Sequence, residues 1–473
     1  MFCGGATADG HPADRRGRRR NDTRRRSGFE GCRHRRCGQR EASAESFSEA
    51  HGDFRIDCSP CRARSCGVVA TTPGFSGRWT RSSNCCRPLA CNVARYCVDE
   101  CCHDSRIFRQ APTVNSVQSY SWLDRMVHRV AFSSPAVQLT AADVETSLYG
   151  RRFSTLKTDR PIFITSLPRA GTTLMLEVLG GLPGLATYCY RDMPFVRAPL
   201  LWERLSRSFR KPASLRERAH ADGMHVGYDS PEAFEEILWR ALWPEKFRED
   251  GIALWSEDEK AIEFRESFVS QMQRIIAVRS NGRAEQRRYL SKNNANIARL
   301  GLLRRLFPDA VILVPFRSPI DQAGSLLRQH LRFLQIHRDD PFAREYMDAI
   351  GHLEFGELHR PIRFDGIDEM LRRYGGTSID YWIAYWILGF RHILRYHRDI
   401  VLVSYETLCQ AGLTGLHTIT TRVGIPDETL RDFAGPELRP PHSYHHEGTS
   451  PADKDLVDEA NALHRHLLSM SIV

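Results

Sequence analysis

The residues best equipped for chemistry lie in Leu167-Pro-Arg-Ala-Gly-Thr-Thr-Leu174, directly after the apolar run Pro161 to Ser166. Gly171 lets the main chain approach an anion closely. Ala170 and Gly171 offer backbone N–H groups, Arg169 offers a charged fork, and Thr172 and Thr173 add hydroxyl donors. A helix starting at Thr172 aims its unpaired N–H groups and the positive end of its dipole at the same point. The set suits phosphate or sulfate oxygens. It is not a Walker A loop, because G-x-x-x-x-G-K-[ST] is absent.

A second patterned run stands downstream, from Tyr289 to Ser325. Ile297, Leu300, Leu303 and Leu306 recur at helical spacing, and Pro308 closes that helix. Ala310 to Phe316 has buried-strand character, and Arg317-Ser-Pro-Ile-Asp321 turns into another helix with Pro319 in its first turn. Strand, helix and strand in this order imply parallel strands whose carboxyl ends share one crevice. Arg317, at the strand end, and Ser325, on the next helix, supply a guanidinium and a hydroxyl to that crevice.

Together these runs resemble the sulfotransferase family, in the broad branch that holds the protein-tyrosine and many bacterial enzymes, over roughly residues 155–435. Leu167 to Leu174 is similar to its 5′-phosphosulfate loop, P-x-x-G-T-T. Arg317, Pro319 and Ser325 match its 3′-phosphate motif in spacing. Ile400 to Leu408 looks like its later strand with a Tyr-Glu-x-Leu element. A C-terminal glycine-lysine phosphate loop is not visible. The resemblance implies an α/β, P-loop-like three-layer fold with a central parallel sheet and helical insertions. It also implies a sulfotransferase that moves the sulfuryl group of 3′-phosphoadenosine 5′-phosphosulfate (PAPS) to an acceptor hydroxyl, with no metal required. By the same carry-over Arg169, Ala170, Gly171, Thr172, Thr173, Arg317 and Ser325 bind PAPS, and Lys292 with Arg169 contacts the leaving phosphate.

In-line sulfuryl transfer also needs a base for the acceptor hydroxyl. The tyrosine-modifying relatives carry a Glu about twenty residues after the phosphate loop, where this chain has Tyr190-Arg-Asp192. Asp192 is the first candidate, with an ion pair to Arg191 as its structural alternative. His225, with His220 and Asp222, is the second, since imidazole titrates in the useful range. Ser230-Pro-Glu232 reads as a helix N-cap with Pro at the first position. Trp382 and Trp386, in the amphipathic stretch Ser378 to His397, read as core. Charged runs from Phe247 to Gln286 leave a lid and an oligomer contact both open.

The first part of the chain is different in kind. Residues 1–110 hold 21 Arg, no Lys and 12 acidic residues, a net of +9 within a total of +10. The main body is therefore nearly neutral, and its anion site is local. Twelve of the 14 cysteines lie at or before Cys102, leaving Cys189 and Cys409, which offer no disulfide framework and fit a reducing compartment. Residues 1–115 are expected to be a disordered or spurious extension, with Met126 as an alternative start, and 116–473 the catalytic domain. Cys58-Ser-Pro-Cys61 has zinc-site spacing, but no second pair completes a tetrahedral set. No apolar run is long enough to span a bilayer, and a cytoplasmic protein is expected. The rivals are a P-loop-type kinase or NTPase, and a nucleic-acid binder acting through the basic head. Small molecules, sugars and peptide hydroxyls all remain open as acceptors, nucleic acid is not an expected partner, and the sequence is silent on oligomeric state.

Overall fold

The computed structural model describes residues 122–207, 216–217, 225–226, 229–280, 287–430, 438 and 452–473. All belong to the compact unit Val93–Val473; the other unit is Met1–Asn92. The expected extension, its cysteine pairs, His220 and Asp222 lie outside the described residues.

Five strands form the central sheet: β1 (Ile162–Ile164), β2 (Leu185–Ala186), β3 (Arg288–Lys292), β4 (Val311–Phe316) and β5 (Val401–Ser404). Their order is β2-β3-β1-β4-β5, and every pairing is parallel. Ile164 stands level with Lys292 and with Leu313, and Phe316 with Ser404, so the carboxyl ends of four strands share one edge. The strand order reverses about β1, which creates a crevice there.

Alternation along the strands explains the layers. Phe163, Tyr289, Ile312, Val314, Phe316 and Leu402 enter one apolar cluster. Ile162, Ile164, Leu290, Leu313, Val401 and Val403 enter another. A strand apolar on both faces must be covered on both, and helices do so. On the second face lie α1 (Thr172–Gly180), Tyr405–Ala411 and Leu413–Val423. The first face carries α2 (Glu236–Leu242), α3 (Ile262–Ser280), α4 (Pro319–Asp339) and α5 (Ile379–Leu394). The expected three-layer α/β fold is the one observed. Ile472 N donates to Leu402 O and Ser404 N to Val473 O, so the chain's last residues cover the β5 edge.

Pro319 opens α4 as expected, and the structure adds side-chain caps from Ser404 to the helix after β5 and from Ser378 to α5. Trp382 and Trp386 are 1% and 0% exposed, which makes them core. One expectation is corrected. Ser230 to Glu232 is no helix cap: Tyr190 N donates to Ser230 O and Glu232 N to Tyr188 O, and the helix starts at Glu236. Within the charged run after Phe247, Phe264, Phe268, Met272, Ile275 and Ile276 of α3 pack into the core.

Candidate active site

The two anion-binding runs meet. Arg169 Nε donates to Ser325 Oγ at 3.0 Å, across 156 positions of sequence. Arg317 Nη1 donates to the Arg169 carbonyl at 3.4 Å. Gln322, one turn before Ser325 on α4, donates its amide to the carbonyls of Leu167 (3.3 Å) and Pro168 (2.9 Å). The Trp386 indole donates to Gln322 Oε1 at 3.0 Å, which fixes the amide's orientation. The loop is thus held from its carbonyl side, leaving its N–H side toward the crevice.

Backbone geometry fits an anion cradle. Arg169 and Gly171 have φ of 66° and 90°, the left-handed region. Gly171 is the N-cap of α1 and brings no capping side chain to its first turn. A Cβ on Gly171 would lie 2.3 Å from the Tyr405 ring, so glycine is required by space as well as by φ. Burial pushes the Tyr405 phenol up to about 12, so the ring beside the loop stays neutral.

Positive charge converges on the same edge. The Arg317 guanidinium sits 5.3 Å from the Tyr405 ring centroid, and its buried Nε makes no hydrogen bond, with Glu406 Oε1 at 3.8 Å. Arg328, one turn beyond Ser325, was not singled out from the sequence. Although it is exposed, desolvation, then the charges of Arg169 and Arg317, brings it down to about 10. Three guanidinium groups, of Arg169, Arg317 and Arg328, thus stand near enough for the charges of the first two to act on the third.

Lys292 ends β3 beside the last residue of β1, and the turn after it closes over the loop. Thr172 Oγ1 donates to Asn294 Oδ1 at 3.2 Å, and Asn294 Nδ2 donates to Glu354 Oε1 at 3.4 Å. Asn294 therefore joins the phosphate loop to a cavity of 40 Å³ with a wall at Leu167 and Pro168. Its ionisable lining is Glu236, His352, Glu354, His359 and Arg360. Glu236 is paired with Arg299. Burial, and next the His330 charge, holds His359 down to about 3, so it is a poor proton acceptor. Among the described residues the Glu354 carboxylate receives one side-chain hydrogen bond, that from Asn294.

Of the two sequence-based bases, the structure describes the side chain of Asp192. Asp192 is 2% exposed, accepts from Cys189 N at 2.8 Å and is bound by Arg279, which also donates to Thr187 O at 2.8 Å. Arg191 pairs with Asp229 instead. Asp192 is thus committed to holding the turn after β2. His225 lies in a two-residue strand paired with Arg216–Glu217, and its side chain is outside the described residues. Asn294, Glu354 and Arg328 were missed, and no local signal marked them; Tyr405 stands in the Tyr-Glu-x-Leu element already noted, without a role given to it there. Among the described residues no group of His, Cys, Asp and Glu is arranged to hold a metal, and no helix is long and apolar enough to cross a membrane.

Comparison with known proteins follows the same residues. Residues 161–354 match the family model described as "Sulfotransferase family". Among solved structures, sulfotransferase STF1 from Mycobacterium tuberculosis H37Rv is 15% identical, with 67% of this chain and 82% of that chain covered and a TM-score of 0.39. STF9 from Mycobacterium avium is 15% identical, with 75% and 86% covered and a TM-score of 0.37. A sulfotransferase from Alicyclobacillus acidocaldarius is 14% identical, with 66% and 94% covered and a TM-score of 0.33. No curated protein matches the chain. The matched segment carries both anion-binding runs, Lys292 and Glu354, and it is over these residues that the chain is similar to the sulfotransferase family.

Proposed function

We propose that the protein transfers the sulfuryl group of PAPS to a hydroxyl acceptor. The observation that carries this reading is the 3.0 Å contact between Arg169 and Ser325, which makes one site of two separate runs. The 5′ end of the donor is assigned to the Arg169–Thr173 loop and the 3′-phosphate to Arg317, Ser325 and Arg328. The fit is supported by the glycine cradle, by the buried Arg317 Nε without a hydrogen bond, and by the positive charge that Arg169 and Arg317 place near Arg328. When bound, PAPS supplies an activated sulfuryl group on its 5′-phosphate.

The chain's own residues then have separable tasks. The acceptor occupies the cavity behind Leu167 and Pro168, and Glu354 takes the proton from its hydroxyl. Glu354 replaces Asp192 and His225 in that role: Arg279 engages the first, while Glu354 shares Asn294 with the loop. Lys292 and Arg169 place positive charge where the leaving phosphate gains negative charge. Thr172, tied to Asn294, keeps the loop and the cavity in register.

The test is calorimetric titration of the full chain with adenosine 3′,5′-bisphosphate, beside adenosine 5′-phosphate and the Arg317→Ala variant. Binding that requires both the 3′-phosphate and Arg317 is the expected result. A folded protein that binds ATP with magnesium, and does not bind the bisphosphate, would replace this reading with a kinase or NTPase.

A further inference from the structure

A pair of adjacent carboxylates holds both residues that flank Lys292. Glu235 and Glu236, at the start of α2, are 1% and 3% exposed. Glu235 Oε2 accepts from the hydroxyls of Tyr289 (3.1 Å) and Ser291, and its Oε1 accepts from Trp239 Nε1 (3.2 Å) and Asn296 Nδ2 (2.9 Å). Glu236 Oε2 accepts from Asn293 Nδ2 at 2.6 Å and pairs with the buried Arg299, whose guanidinium lies 3.9 Å from the Trp239 ring centroid. Asn293 also donates its N–H to Ile164 O at 2.9 Å and accepts from Ala295 N at 3.0 Å.

Burial alone asks only that each carboxylate find donors. Here Glu235 takes Ser291, the residue before Lys292, and Glu236 takes Asn293, the residue after it. One helix turn thus pins the chain on both sides of a lysine whose long stem has several rotamers to lose. Asn296 and Arg299 close the arrangement, since Arg299 Nε donates to Asn296 Oδ1 at 2.8 Å.

We propose that Glu235 and Glu236 are positioning residues for Lys292, acting through Ser291 and Asn293 to aim its ammonium group at the 5′-phosphate end of the site. This rests on the reading of Lys292 given above. Electrostatic help to a leaving group depends on where a charge sits before reaction, which is what a two-sided tether supplies.

Only six lysines occur in the chain, so Lys292 can be watched directly. The full chain is methylated with 13C on its lysines, the Lys292 signal is assigned by its loss in Lys292→Ala, and adenosine 3′,5′-bisphosphate is added. In the unsubstituted protein the Lys292 signal moves on binding. In Ser291→Ala and Asn293→Ala, which leave the Glu236–Arg299 pair intact, the movement shrinks or vanishes while bisphosphate affinity stays within about twofold. Trp239→Phe removes a different donor to Glu235 and leaves the movement unchanged. Equal movement in both tether variants would overturn the proposal, and two variants guard against one failing to fold. A Lys292 signal that never moves, in a protein that binds the bisphosphate, would remove Lys292 from the site and the tether's purpose with it. Loss of bisphosphate binding altogether would instead strike at the function.

Discussion

Replacing Gly171 with alanine separates backbone strain from crowding at the phosphate loop. At φ of 90° an alanine costs about 1–2 kcal/mol, because its Cβ crowds the neighbouring carbonyl. The same Cβ would stand 2.3 Å from the Tyr405 ring, where ordinary contact begins near ~3.5 Å. Moving a packed ring by about an ångström costs roughly 1–3 kcal/mol. The total, about 2–5 kcal/mol, divides between stability and binding according to how far the free loop relaxes. A loop that holds its shape lowers the melting temperature by about 2–4 °C per kcal/mol. A loop that relaxes must be reshaped by the ligand, and 3 kcal/mol of reshaping weakens adenosine 3′,5′-bisphosphate by about 150-fold. Calorimetry and thermal melts on Gly171→Ala therefore have to sum to the predicted total. Repeating the substitution in a Tyr405→Ala background removes the collision and leaves only the dihedral cost, about 1–2 kcal/mol. A Gly171→Ala protein with unchanged melting temperature and affinity would refute the geometry. An equal penalty in both backgrounds would refute the role given to the ring.

Other outcomes follow from the same contacts. Ser325→Ala removes the hydroxyl that receives Arg169, and is expected to weaken the bisphosphate by about tenfold, the worth of a charge-assisted hydrogen bond. Glu354→Gln is expected to lower single-turnover sulfuryl transfer by about 100-fold or more without weakening the bisphosphate, and an unchanged rate would take the base elsewhere. Acid should unfold the protein early. His128, His330 and His392 are held down to about 4, burial being the first cause for each. A depressed histidine adds stability that is complete above the unfolded value near 6.5 and is lost as pH falls toward the folded value. For a shift to about 4, going from pH 7.5 to 5 removes about 2 kcal/mol per histidine. Denaturant melts across that window should slope upward with pH, and His330→Gln should flatten the slope.

Legibility from sequence divided along contact range. The loop after β1, the Pro319 helix start and the amphipathic stretch from Ser378 rest on neighbouring residues, and spacing revealed them. Arg317 and Ser325 were legible because strand-end and next-helix positions fix where they point. Asp192 shows the opposite case. Its sequence neighbour Arg191 is not its partner; Arg279, 87 positions away, is. Glu354 had no local mark, since a carboxylate in a loop has many ordinary uses, and the Tyr-Glu-x-Leu element named Tyr405 without saying what its ring would touch. Ser230-Pro-Glu232 misled because a proline after a polar residue suits both a helix start and an extended bridge, and pairing with Tyr188 to Tyr190 decided it.

The placement of Asn294 has a consequence for how two substrates share the protein. Its side-chain oxygen takes the Thr172 hydroxyl and its amide reaches Glu354, so under the proposed function one side chain serves both the donor site and the acceptor site. A ligand that tightens either contact changes the freedom of the other. Donor and acceptor affinities are then linked, and by thermodynamic reciprocity each must alter the other by the same factor. Substitution of Asn294 should make the two bind as strangers: the cooperative factor falls to one even where each ligand, measured alone, is still held.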